Sequence, residues 1–223
     1  FQQLVGRLPE SFCPPDYRTD ARVESAAEEL GVHTFQGRPE RPGGAATRLR
    51  HFLERYRFPD LQGERFYLPP RIAFEPGTNG AEAMLVGLEG ALKGVRAAWS
   101  RSQPAIVSTH RANYVQLDEA RGEECVERLR EFLAALAGEG AVFVTDSEVH
   151  SLVNRRWSMR TVGARGALIR HWGVPGEPLR FAAPPGVERV AVREGQGISA
   201  VVENGQVELR CNIGEILIEW RRA

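Results

Sequence analysis

Apolar residues recur along this chain in two rhythms. Up to about Arg156, short β-branched or aromatic runs alternate with longer segments whose apolar residues return every three or four positions. Beyond about Ala167 the spacing shortens to strand-like runs separated by turn residues. The first pattern predicts an α/β region with a parallel sheet or barrel, and the second a small antiparallel β module. The division is expected as 1–156 and 157–223.

In the first region, Ser11 to Tyr17 predicts a short strand running into a proline-stiffened loop. Asp20 then caps a helix over Ala21 to Leu30, with Val23, Ala26, Ala27 and Leu30 on one face. Gly31 stops it and Val32 to Phe35 forms the next strand, completing a parallel β-α-β unit. A Gly/Pro/Arg-rich loop (37–44) precedes a helix carrying Leu49, Phe52, Leu53 and Tyr56. Phe66 to Leu68 and Ile72 to Phe74 are extended, interrupted by Pro69-Pro70. Asn79 and Glu82 predict a reciprocal N-cap for one long helix to Trp99, with Met84, Leu85, Leu88, Leu92, Val95 and Trp99 as its apolar side. Ala105 to Val107 reads as a strand buried on both faces. A helix from Glu119 to Leu136 follows, with Val126, Leu129, Leu133 and Leu136 inward, then a strand at Ala141 to Val144. Thr145-Asp146-Ser147-Glu148 is a capping-box signature.

The β region contains six strand-like runs: Ala167–Trp172, Leu179–Ala182, Val187–Val192, Ile198–Val202, Gln206–Cys211 and Glu215–Trp220. Asn204-Gly205, between two of them, is the sharpest hairpin signal in the chain.

Charge adds little to this picture. Acidic and basic residues balance at 29 each, so no net field draws the chain to nucleic acid or anionic lipid. Lys93 is the sole lysine. Cys13, Cys125 and Cys211 are odd in number and far apart, giving neither a disulfide framework nor a CxxC pair, and all three read as buried thiols. No apolar stretch is long enough to span a bilayer. No signal peptide is visible, and the chain, starting at Phe1, reads as beginning inside a fold.

Candidate chemistry gathers after the central strand, which ends in Ser108-Thr109-His110-Arg111. The carboxyl ends of parallel strands are where α/β proteins build their sites. A histidine there can exchange protons near neutral pH, or can simply hydrogen-bond a neighbouring loop. Arg111 can hold a carboxylate or sugar oxygen, or form a structural salt bridge. Glu75, between a strand and Pro76, is either a second acid at the same rim or a loop carboxylate. Asp16 and Tyr17 can contact sugar hydroxyls, although a Pro-Pro-Asp turn explains Asp16 without a ligand. His51 reads as surface, His33 as structural and His150 as solvated. Trp157, Trp172 and Trp220 offer either a sugar-stacking face or core packing. Asp146 and Glu148 are assigned to helix capping.

Several of these segments, in order, resemble a branch of the polysaccharide deacetylase family. They are Phe12-Cys13-Pro14-Pro15-Asp16-Tyr17, Gly31 to Gly37, Arg71-Ile72-Ala73-Phe74-Glu75-Pro76, Gln103 to Tyr114 and Val142 to Glu148. The likeness covers about residues 10 to 155. It implies a distorted (β/α) barrel and metal-dependent removal of acetyl groups from N-acetylated sugars. His110 stands where the family's late histidine protonates the leaving amine. Pro14, Pro15, Asp16 and Tyr17 stand where the substrate groove is lined, with Phe12 and Cys13 replacing the arginine often found there. A divalent metal, zinc first, and a carbohydrate substrate are implied, with a polymer at the cell envelope favoured over a cytoplasmic one.

The family's opening acidic pair and its His-x-x-x-His segment have no counterpart among His33, His51, His110, His150 and His171. The expectation is therefore the second half of a barrel, its metal ligands in a missing first half, or its open side covered by another chain or a second copy. The competing reading is a carbohydrate-binding or assembly protein that has lost the metal centre. A glycoside hydrolase would need paired carboxylates, and Glu75 alone is too little.

Overall fold

The computed structural model describes residues 9–14, 21–36, 59–62, 64–163, 165–195 and 197–222. They belong to two compact units, Phe1–Phe143 and Val144–Ala223. The expected helix around Leu49 to Tyr56 lies outside the described residues.

In the first unit, β1 (Ser11–Phe12), α1 (Ala21–Glu29) and β2 (Thr34–Gln36) form the expected parallel β-α-β unit, with Ser11 opposite Thr34. Gly31, at φ 81°, ends α1 as anticipated. Its N–H donates to the Glu28 carbonyl and that of Val32 to the Ala27 carbonyl, the paired bonds of a Schellman stop. β4 (Arg65–Leu68) runs parallel to β2, and β3 (Asp60–Gln62) pairs antiparallel on its other side. Phe35, Phe66, Tyr67 and Leu68 are buried in this sheet. Arg65 reaches Glu24 at 3.0 Å and Glu28 at 2.7 Å, tying α1 to β4.

A second, two-stranded parallel sheet pairs β5 (Arg71–Ala73) with β6 (Ile106–Ser108). The connection runs through α2 (Ala83–Val86) and α3 (Leu88–Trp99), and α4 (Glu119–Gly138) follows β6. Phe74, Ala91, Val95, Phe132 and Leu136 form the core here, with the rings of Phe74 and Phe132 stacked at 4.5 Å.

Several expectations give way in this region. The long helix is two helices, because Gly87 is extended (φ −74°, ψ −171°), and Asn79 makes no side-chain cap. A Cβ at Gly87 would lie 2.4 Å from the Ala83 carbonyl oxygen, so the backbone closes there too tightly for any other residue. Met84 and Leu85 are consequently exposed, while Ala91, Val95 and Ala98 face inward. The small side allows close packing: a Cβ at Gly94 would lie 2.8 Å from Ile72 Cγ2. On α4 the inward face holds Cys125, Phe132 and Leu136, leaving Leu133 exposed. Val107 is 38% exposed, so β6 is not buried on both faces. Residues 141–145 form no strand.

The coarse α/β reading holds, but among the described residues no closed barrel forms. Pro69 and Pro70, which have no N–H to donate, separate β4 from β5, and the two sheets carry separate ladders.

In the second unit, α5 (Asp146–Arg155) starts from the anticipated capping box, with the Thr145 side chain accepting from the Glu148 N–H and the Glu148 carboxylate accepting from the Thr145 N–H. The unit thus begins before this helix rather than after it. Strands β7 (Trp157–Val162), β8 (Gly166–His171), β10 (Val187–Glu194) and β13 (Gly214–Arg222) make one antiparallel sheet, in the order β10-β13-β8-β7. β9 (Pro178–Ala182), β12 (Gln206–Arg210) and β11 (Ser199–Glu203) make the other, in the order β11-β12-β9. Ile169, Ile216, Ile218 and Trp220 from the first sheet share one core with Leu179, Phe181, Val207 and Leu209 from the second, so the unit is a small sandwich. Asn204 and Gly205, at φ 50° and 73°, form the expected tight hairpin between β11 and β12.

Candidate active site

The parallel register of β5 and β6 is what assembles the site. Ala73 lies opposite Ser108, so Glu75 and His110 each emerge two residues beyond that pair, at the same carboxyl-terminal rim. The Phe74 N–H continues the ladder to the Ser108 carbonyl at 2.8 Å, and the Glu75 N–H is held by the Val86 carbonyl at 2.7 Å. From these fixed backbones Glu75 Oε1 meets His110 Nδ1 at 2.7 Å. The Glu75 side chain is 18% exposed and that of His110 is 77% exposed.

A carboxylate at Glu75 can only accept, so Nδ1 carries the proton of this contact. Nε2 has no partner among the described residues. It therefore accepts a proton when the ring is neutral and donates one when the ring is charged.

Around this pair lies a small polar frame. The Asn113 Nδ2 donates to Glu75 Oε2 at 2.6 Å. The Thr109 and Tyr114 hydroxyls are 2.8 Å apart. Burial pushes the Tyr114 phenol above its ordinary range, with the Thr109 hydrogen bond opposing, so it stays protonated at neutral pH. Arg121, on the first turn of α4, donates to the Gly77 carbonyl at 2.7 Å.

Of the sequence candidates, the structure thus brings His110 and Glu75 together. Arg111 is exposed at the start of the 3-10 turn Arg111–Asn113 and makes no ion pair among the described residues. Pro15, Asp16 and Tyr17 lie outside the described residues. Asn113 and Tyr114 were not singled out from the sequence. The His-x-x-Asn spacing over a short turn was the available signal for Asn113, and it is weak.

Other candidates resolve structurally. Cys125 and Cys211 are buried as expected, and burial raises both thiols. Cys13 is exposed instead, just past the end of β1, and Arg71 Nη2 approaches its sulfur at 3.1 Å. His171 is buried, with Nδ1 3.3 Å from the Asn212 carbonyl oxygen, and His150 is half-buried rather than solvated. Trp157 and Trp220 pack with Phe181 in the core of the second unit, whereas Trp172 is 47% exposed.

Among the described residues no three His, Cys, Asp or Glu side chains converge as metal ligands. Nor does any described helix have the length and apolarity to cross a membrane. The chain matches no family model and no curated protein.

Proposed function

We propose that this chain carries the proton-donating part of an amide-hydrolysing site of the carbohydrate deacetylase type. The observation behind it is the 2.7 Å contact between His110 Nδ1 and Glu75 Oε1 at the carboxyl ends of two parallel strands. Amides resist hydrolysis because the amine is a poor leaving group. The C–N bond of a tetrahedral intermediate breaks readily only when its nitrogen is protonated at the same time. His110 in its charged form supplies that proton from Nε2, while Glu75 holds Nδ1 and fixes the ring. After the step the ring is neutral, Nδ1 still bonded to Glu75, and the amine leaves with the proton. In this reading Arg111, exposed next to His110, meets a sugar oxygen or carboxylate. The metal centre of that reaction is not formed by the described residues, and no step is assigned to it.

The test is acetate release from N-acetylglucosamine oligomers by the full-length protein supplied with zinc. His110→Ala should lower the rate by about 10²- to 10⁴-fold, the usual contribution of a positioned acid. Undiminished release by the variant would refute the role. One observation favours the binding reading for the second unit. Trp172 is exposed at the end of β8, where a flat aromatic can stack on a sugar face.

A further inference from the structure

We propose that Asn113 is a positioning residue that locks the Glu75 carboxylate and thereby sets the tautomer of His110. This rests on the reading of His110 as the proton donor. The Asn113 side chain belongs to a residue only 8% exposed, and its amide is used at both ends. Nδ2 donates to Glu75 Oε2 at 2.6 Å and to the His110 carbonyl at 2.9 Å. Oδ1 accepts from the Gly77 N–H at 3.3 Å. One amide thus touches the backbone of the histidine, the side chain of its partner and the loop that follows that partner.

The chemistry of the partners leaves one amide orientation. Turned over, Oδ1 would face the Glu75 carboxylate, acceptor against acceptor, and the amide nitrogen would face the Gly77 N–H, donor against donor. With Oε2 held by Asn113, Oε1 of the same carboxylate is left facing His110 Nδ1. Without that hold, only the single bond to Nδ1 keeps the carboxylate on the ring, and on a side chain free to rotate that bond competes with water. The site is also built to admit the amide closely. A Cβ at Gly77 would lie 3.0 Å from Asn113 Oδ1 and 3.3 Å from Gln116 Nε2. The tautomer of an imidazole follows the hydrogen bond made by its other nitrogen, so control of Glu75 is control of which nitrogen faces the substrate.

The experiment is to read the His110 ring by nitrogen NMR in the full chain at a pH where the ring is neutral. Backbone amide spectra confirm that each variant is folded. Glu75→Ala, which deletes the carboxylate, provides the reference for the released ring. The wild type should hold the Nδ1–H form as the majority. Asn113→Asp keeps an acceptor for the Gly77 N–H but loses both donated bonds. It should lose the Nδ1–H majority, as should Asn113→Ala. Retention of the wild-type tautomer in both variants, while Glu75→Ala releases the ring, would overturn the inference. So would an Nε2–H majority in the wild type. None of these readings depends on turnover. A tautomer governed by Asn113 in a protein that hydrolyses no acetylated sugar would sink the deacetylase reading alone.

Discussion

Glu148 carries two jobs in the second unit, and replacing it tests whether α5 is integral to that unit. Its Oε1 accepts from Arg170 Nη1 at 2.5 Å, between side chains 5% and 7% exposed, and its Oε2 accepts the Thr145 N–H of the capping box at 2.8 Å. Removing one member of a buried ion pair costs about 3–5 kcal/mol, because the remaining charge stays out of water. Here Arg170 retains Glu215 through Nε at 2.6 Å, and that partner is 54% exposed. The loss therefore belongs at the lower end, about 3 kcal/mol. The lost cap bond adds about 1 kcal/mol. Glu148→Ala should then cost about 4 kcal/mol, a large share of the ~5–15 kcal/mol that holds a typical domain.

Two companions separate the terms. Thr145→Ala removes only the hydroxyl half of the cap and should cost about 1 kcal/mol. Glu148→Gln keeps an acceptor for Thr145 and a neutral one for Arg170, so it should fall between the two. Native-state hydrogen exchange at β8 amides reads these losses within the unit, whatever the first unit does. A Glu148→Ala cost no larger than that of Thr145→Ala would refute the reasoning, since the ion pair would then contribute nothing.

Three further outcomes follow. Brief alkylation of the native protein should modify Cys13 alone, because Cys125 and Cys211 are buried and their thiols raised; peptide mass mapping that finds either of those labelled first would contradict this. Gly205→Ala should cost about 1 kcal/mol in urea unfolding, since φ 73° is strained for a residue with a Cβ, and no loss would mean the hairpin turn is otherwise. Burial, then the Glu24 charge, raises the Tyr67 phenol above its ordinary value near 10, so the folded state holds the proton more tightly. Stability is then unaffected below about pH 10 and falls as pH rises above it. Tyr67→Phe should flatten that alkaline fall, and an unchanged slope in unfolding midpoints would assign it to other groups.

What the sequence made legible was local. Gly31, the Thr145–Glu148 capping box and Asn204-Gly205 each act through their own backbone geometry, and each appears where expected. Helix faces were less legible. On α3 Val95 is buried as expected and Leu88, Leu92 and Trp99 pack against the same core, but Ala91 and Ala98, whose small side chains carry little apolar signal, are buried with it. The break at Gly87 was hidden because a glycine inside an apolar stretch costs a helix only about 1 kcal/mol and need not end it. β7 was missed because Trp157 to Val162 follows a helix directly, without a turn residue to announce a strand. For the site, His110 and Glu75 were each visible as strand-end polar residues. Their meeting depends on the β5–β6 register, and Asn113 on a turn three residues further on. The register is not written in spacing, and the turn only weakly.

The most direct test of His110 as a proton donor compares two leaving groups. An acid matters where the leaving amine needs a proton and hardly matters where the group departs unaided. Rates of His110→Ala and wild type should be measured on an N-acetylated sugar amide and on an acetate ester of an acidic phenol. The expected result is a loss of about 10²- to 10⁴-fold on the amide with the ester rate nearly retained. Equal losses on both substrates, or no loss on the amide, would contradict the role assigned to His110 and Glu75.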